Sequence, residues 1–332
     1  MKLESTPKPT ALHPALTLRP AAWQDIPAVA QLIYDVCEAD GDTTVAVTPE
    51  ELKNEWQSRG FAPERDAFVV TAADGRVVGY EDFYNVDAHT HLNADGYVHP
   101  QFKNMGVGTA LLRRAELRAQ EEIPHAAPDQ RVFLRATTDN RDEVSKSMFA
   151  FEGYAPIRYH WRMEITLDKN PDEAPLPAGV ELRPFIRAEH ARAVWAADNE
   201  AFRDHWGSHE SSFEDWEQRK FMENFDPTLW LIAWQGNEVA GYSQNRFRMG
   251  IGWVGTLGVR RPWRKHGLGL ALLTRSFGEF YRRGMKTIGL GVDASNPTGA
   301  TRLYQRAGMV AASEFVMFEK ELRGGKDDSH KG

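Results

Sequence analysis

The stretch Val254-Gly255-Thr256-Leu257-Gly258-Val259-Arg260-Arg261-Pro262-Trp263-Arg264-Lys265-His266-Gly267-Leu268-Gly269-Leu270 decides how the rest of the chain is read. Its first six residues have the composition of a strand. The helical spacing of Leu272, Leu273, Ser276, Phe277 and Phe280 follows, so a strand runs through a Gly-rich turn into a helix N-terminus. Such a turn leaves the first helical N–H groups unpaired, with the positive end of the helix dipole behind them, and suits an anionic diphosphate. Arg264, Lys265 and His266 add cationic side chains. Two other phosphate loops are set aside. There is no Gly-Lys-Ser/Thr of a nucleotide P-loop, and Gly267-Leu268-Gly269 lacks the third glycine of a dinucleotide fingerprint.

The pattern occurs twice. Val98-His99-Pro100-Gln101-Phe102-Lys103-Asn104-Met105-Gly106-Val107-Gly108-Thr109 precedes a second apolar helix through Leu111, Leu112 and Ala115, at a spacing of about 160 residues that marks a duplicated domain. The flanks repeat as well. Leu18-Arg19-Pro20 matches Leu182-Arg183-Pro184, and each is followed by an apolar helix pattern. Thr48-Pro49 and Ser211-Ser212 open second helices that carry Trp56 and Trp216. Hairpins turn at Asp74-Gly75 and at Gln235-Gly236-Asn237 into Gly79-Tyr80 and Gly241-Tyr242.

Two copies of Arg/Lys-x-x-Gly-x-Gly after a strand resemble the acetyl-CoA signature of the GNAT family of N-acetyltransferases. The tandem layout is similar to that of mycothiol synthase and its relatives. The resemblance implies an α/β (α+β) fold of two tandem domains, each a mostly antiparallel mixed sheet flanked by helices. With the polar ends and the Pro-rich stretch Asp168 to Gly179, it places a disordered lead-in at 1–15 and an N-terminal domain at 16–167. A linker at 168–179, a C-terminal domain at 180–323 and a disordered tail at 324–332 complete the division. Lys103 stands where the family prefers Arg or Gln.

The resemblance also implies the site residues. Acetyl-CoA is expected at Leu257, Gly258, Val259, Arg264, Lys265, His266, Gly267, Leu268, Gly269 and Leu270, with Asn296 and Ala300. In the first half it is expected at Val98, Lys103, Asn104, Met105, Gly106, Val107, Gly108 and Thr109. The segment Asp293 to Met309 resembles the family's closing motif, in which a tyrosine hydroxyl acts as general acid toward the departing thiolate. Tyr304, with Asn296, is therefore the catalytic expectation. A helix from near Pro297 sets Ala300, Tyr304 and Gly308 on one face, with Gly308 suited to a left-handed C-cap. In the first half Phe149 takes the tyrosine's position and cannot donate a proton, so catalysis is expected in the C-terminal half and a degenerate site in the other.

No carboxylate lies on the strand Trp253 to Val259, which leaves the base open among Asp198, Glu200 and the segment Asp204 to Glu210. Acceptor contact is expected from Asp204, His205, His209 and Glu210. His205 and His209 have no evident third partner for a metal, so none is expected. His89 and His91 read as structural or surface residues.

Composition narrows the classes. The 332 residues carry a net charge of −7, which disfavours a nucleic-acid partner. No apolar run reaches the roughly 18–20 residues of a membrane span. The single Cys37 falls on an apolar helix face and reads as a buried thiol. The expectation is a cytoplasmic monomer or homodimer acting on a small amine-bearing acceptor. The other reading is an acyl-CoA-binding regulatory or scaffold protein without turnover.

Overall fold

A computed structural model describes residues 11–203, 205–206, 210–221, 225–296 and 299–326. In the first half β1 (Thr17–Pro20) leads to α1 (Ile26–Ala39), α2 (Pro49–Trp56) and α3 (Pro63–Asp66). Then come β2 (Ala67–Thr71), β3 (Val77–Asp87), β4 (His91–Val98), α4 (Val107–Gln120), β5 (Val132–Asp139), α5 (Glu143–Phe151) and β6 (Ala155–Thr166). The second half repeats the order with β7 (Glu181–Arg183), α6 (Arg187–Phe202), α7 (Phe213–Lys220), β8 (Leu231–Gln235) and β9 (Glu238–Arg248). It continues through β10 (Ile251–Val259), α8 (Leu268–Arg282), β11 (Thr287–Asp293), α9 (Ala300–Arg306) and β12 (Val310–Arg323).

Local chemistry accounts for the element starts. Thr48 caps α2 through a reciprocal pair with Glu51, with Pro49 at the first helical position, and Ser212 caps α7 by accepting from the Asp215 N–H. Gly308, at φ 93°, ends α9 as the sequence suggests.

The chain forms two compact units, and they do not follow the linker at 168–179. One is built from the chain up to Tyr159 and from Phe315 onward; the other runs from His160 to Glu314. The cause is an exchange of last strands. In the N-terminal unit β5 pairs antiparallel with the end of β12, in the register Phe315↔Asp139 through Phe318↔Ala136. In the C-terminal unit β11 pairs antiparallel with the end of β6, from Thr287↔Thr166 to Asp293↔His160. Each unit is thus a mixed sheet, β1-β2-β3-β4-β5-β12 or β7-β8-β9-β10-β11-β6. The parallel pairs are β4·β5 and β10·β11.

The cores follow the exchange. Val316 and Phe318 pack with Leu112, Leu134 and Phe149 in the N-terminal unit, while Met163 and Leu167 pack with Leu273, Phe277 and Leu290 in the C-terminal one. The parallel pairs close over only part of their length. β4 pairs with β5 from His91 to Ala94, and β10 with β11 at Gly252 and Trp253. Beyond those residues neither pair is continued, and in the N-terminal unit a cavity opens between the two strands.

Close approach explains one glycine on β10. A Cβ on Gly258 would fall 2.3 Å from the Tyr242 hydroxyl, which donates to Asp198 at 2.5 Å. Gly258→Ala is expected to cost about 1–3 kcal/mol through that overpacking, read as a lower denaturant midpoint.

Candidate functional site

The loops entering α4 and α8 adopt the same backbone. Asn104 and Gly106 have φ of 64° and 76°, and Lys265 and Gly267 have 67° and 85°. Two left-handed residues around one ordinary residue turn successive N–H groups toward one concavity, which together with the helix N-terminus makes an anion cradle. Gly106 and Gly267 are the helix N-caps, where a left-handed residue without a Cβ is the low-strain choice. The closing helices pack against these starts. A Cβ on Gly108 would meet the Met148 sulfur at 3.2 Å, and one on Gly269 would meet Leu303 Cδ2 at 3.2 Å. Met148 and Leu303 each immediately precede the position that differs, Phe149 or Tyr304.

In the C-terminal unit Lys265, His266 and Gly267 are exposed at the cradle. Arg264 is engaged differently from the sequence expectation. Its guanidinium donates to the Val259 carbonyl at 3.0 Å and to the Ala201 carbonyl at 2.9 Å, tying the loop to α6. Leu257 is partly buried, Val259 packs with Leu268 and Leu272, and the β10 bulge lies between Val254 and Thr256, earlier than Leu257. Asn296 sits in the turn after β11, its N–H donating to the Asp293 carbonyl. Ala300 opens α9, and Leu270 lies in the first turn of α8. Tyr304 is 8% exposed, and burial pushes its phenol up to about 12.

This unit also holds a cavity of about 390 Å³ lined by Asp198, Phe202, Lys220, Gln244 and Thr256, among others. Lys220 Nζ donates to Thr256 Oγ1 at 2.8 Å, and burial draws its ammonium below the ordinary lysine range. Both polar side-chain atoms of the buried Gln244 are without a hydrogen-bond partner among the described residues. Asp198 accepts from Trp216 Nε1 at 2.8 Å and from Tyr242, which fixes the floor. Glu200 is taken up by Arg260 at 2.6 Å. Of the acceptor residues expected from sequence, His205 packs on Phe202 and Glu210 pairs with Arg203 at the surface. Asp204 and His209 lie outside the described residues. Sequence reasoning missed Lys220 and Gln244. The alternation of Tyr242 and Gln244 on one face of β9 was the available signal for the second.

In the N-terminal unit a larger cavity, about 570 Å³, opens where β4 and β5 separate. Val98, Lys103, Asn104, Gly106, Val107, Gly108 and Thr109 line it, while Met105 packs into the neighbouring core. Phe149 lines it too, stacked on Phe318 at 4.9 Å. Cys37 is a buried thiol on its wall, outside any disulfide. His91 is bonded to Arg135 at 2.9 Å and His89 to Glu122, consistent with structural roles. Among the described residues no three His, Cys, Asp or Glu side chains could hold a metal, and no helix is long and apolar enough to cross a membrane.

A mixed sheet splayed beside a diphosphate cradle, built twice, defines a tandem acyl-CoA-dependent transferase. The comparisons agree. The pattern of the acetyltransferase (GNAT) family matches residues 33–149 and 192–309, and the chain belongs to that family. It is an acetyl-CoA-dependent acyltransferase with tandem GNAT domains. It is 32% identical over 231 residues to the mycothiol acetyltransferase of Pseudarthrobacter chlorophenolicus, covering 67% of this chain and 68% of that one. It is 28% identical to the one from Streptomyces scabiei, covering 91% and 92%. Among solved structures, a GCN5-related N-acetyltransferase from Sphaerobacter thermophilus superposes with a TM-score of 0.81 at 37% identity, covering 96% and 99%. A tandem GNAT protein from the clavulanic acid biosynthesis pathway shares the fold at a TM-score of 0.71 and 19% identity, covering 94% of this chain and all of that one (100%).

Proposed function

We propose that the C-terminal unit transfers an acetyl group from acetyl-CoA to a primary amine of a small molecule or peptide, and that Tyr304 acts on the departing sulfur. The observation that carries this reading is the pairing of Tyr304 with a cradle whose N-terminal counterpart has Phe149 in the same place. The exposed N–H groups around Lys265 to Gly267 would hold the diphosphate, with Lys265 and His266 beside it. The N-terminal cradle has the same backbone and would suit the same coenzyme, but Phe149 brings no hydroxyl in the place of Tyr304.

Tyr304 keeps its proton at neutral pH because its phenol stands near 12. A thiol of ordinary acidity titrates at about 8.5, so complete transfer from Tyr304 would be uphill by roughly 5 kcal/mol. The phenol therefore serves best as a hydrogen-bond donor to the sulfur while charge develops there. Lys220, drawn toward neutrality by burial and lining the cavity of this unit, would receive the proton that the attacking amine sheds.

The test follows free thiol with acetyl-CoA and a panel of amines. Lys220→Met is expected to lower kcat/KM by about 100-fold or more and to abolish a rise in rate with pH that ends below the ordinary lysine value of about 10.4. An unchanged pH profile would remove Lys220 from the proton path, and coenzyme binding without thiol release on any amine would sink the transferase assignment to this unit.

A further inference from the structure

Strand β9 presents different chemistry to the two faces of its sheet. Ser243 and Asn245 bond to Ser276 of α8, while Tyr242, alternating with them, donates to Asp198 of α6. Gln244 and Arg246 therefore lie on the α6 side with Tyr242, and both line the cavity of about 390 Å³ there. Counted from the shared Gly-Tyr, the N-terminal unit has Asp82 and Tyr84 at these places. Across the ladder Asp82 faces Asp95, where Gln244 faces Thr256. One copy of the fold thus holds acids at positions where the other holds an amide and a hydroxyl, with a guanidinium beside them. The fold itself requires neither set.

The cavity of the C-terminal unit is cationic. Arg219, Lys220 and Arg246 line it, and its acids among the described residues are Asp198 and Asp226. Asp226 is taken up by Arg283 at 2.7 Å, and Asp198 accepts from Trp216 and Tyr242, two neutral donors. Arg219 makes no ion pair or hydrogen bond among the described residues. The cations stand close enough to repel one another. Burial first, and with it the charges of Arg219 and Arg246, draw the Lys220 ammonium down against the pull of Asp198. Gln244 is 4% exposed, and neither its amide oxygen nor its nitrogen has a partner among the described residues. A buried amide in that state is costly unless a ligand completes it. Phe202, Phe225 and Trp253 make the rest of the wall apolar.

We infer that this cavity binds an acceptor carrying a carboxylate as well as its amine, an amino acid or peptide in kind, with the carboxylate held by Arg246 and Gln244 and drawn in by Arg219. A carboxylate spreads one charge over two oxygens in a plane, which suits a guanidinium and an amide N–H on neighbouring positions of one strand face. Its charge relieves the repulsion among the three cations. Burial, the leading cause of the Lys220 shift, is not relieved, so Lys220 keeps the role proposed above. The apolar walls leave room for a hydrocarbon side chain. The inference rests on the transferase reading of this unit only in calling the occupant an acceptor; the anion site stands on the cavity's own charges and orphaned amide.

The experiment is calorimetric titration of the full chain with N-acetylleucine and N-acetylleucinamide, which share a skeleton, differ in the carboxylate and need no turnover. The acid is expected to bind about tenfold or more tightly than the amide, and Arg246→Gln to bring the two within about twofold. Gln244→Leu should weaken the acid about threefold or more yet melt at or above the wild-type temperature, because it removes an orphaned buried amide. A merely structural Gln244 would instead lower the melting temperature. Arg282→Gln, an exposed cation of α8, should leave the preference unchanged. Equal affinity for acid and amide, an Arg246→Gln variant with the full preference, or inorganic phosphate bound more tightly than N-acetylleucine would each overturn the assignment. Arg219→Gln, expected to weaken the acid about twofold to fivefold, decides the matter if Arg246→Gln fails to fold. Thiol release with leucine and leucinamide separates the two readings. Release from both, without a binding preference for the acid, removes the carboxylate site and leaves the transferase; preference for the acid without release on any amine supports the site and removes the transfer.

Discussion

Tyr304→Phe is expected to lower kcat about 10- to 150-fold while leaving the KM for acetyl-CoA within about twofold. The size follows from the role. A hydrogen bond to a charged acceptor contributes about 1.5–3 kcal/mol, and each 1.36 kcal/mol is a factor of ten in rate. The KM should hold because the proposed diphosphate contacts come from the backbone around Gly267 at the start of α8 and not from the phenol, and because phenylalanine fills nearly the same volume in the core with Val292 and Leu290. The N-terminal unit already accommodates a phenylalanine at this place. A discriminating readout uses acetyl thioesters of more acidic thiols. As the leaving group needs less help, the gap between wild type and variant should narrow. A variant within twofold of wild type on acetyl-CoA itself would take the sulfur-side role away from Tyr304. With a phenol near 12, no alkaline loss of rate from this residue is expected below about pH 11.

The second large effect concerns stability. Phe318→Ala, a change fourteen residues before the end of the chain, is expected to destabilise the N-terminal unit by about 3–5 kcal/mol. Phe318 is 4% exposed, stacks on Phe149 and belongs to the core with Leu112 and Leu134. Hydrogen exchange by mass spectrometry gives the location. Peptides from β5 and α4 should exchange faster, and peptides from β9 and β10 should not. Were the β9 and β10 peptides to respond while β5 stayed protected, the exchanged topology would be wrong. The linear boundary at 168–179 makes the opposite forecast, since it assigns Phe318 to the C-terminal domain.

Much of the fold was open to reading because it is written in local patterns, and written twice. Helix entry at Thr48-Pro49, the two hairpins and the Gly-rich turns depend on residues a few positions apart, so spacing alone reveals them. The cradle is of this kind. Its geometry resides in Asn104 to Gly106 and Lys265 to Gly267, and the repeat made its meaning hard to miss. Arg264 shows the limit of such reading. A cation beside a phosphate loop suggests a phosphate ligand, but two backbone carbonyls, one of them from α6 63 residues away, claim it first.

What the sequence by itself determined is the duplicated acyl-CoA fold, its two cradles, and the difference between Tyr304 and Phe149. Only the tertiary structure decided which strand completes each sheet and what charge each cleft presents. β6 and β12 are both long strands following a short helix, and either could add to either edge; the choice is made by long-range pairing that no local pattern encodes. The clefts were hidden for the same reason. Asp82 and Asp95 become neighbours only when β3 and β4 align, and Lys220 reaches Thr256 only when the end of α7 meets β10. Chemistry set by backbone torsions can be read along the chain, whereas chemistry set by side chains meeting across strands appears only once the sheet has formed.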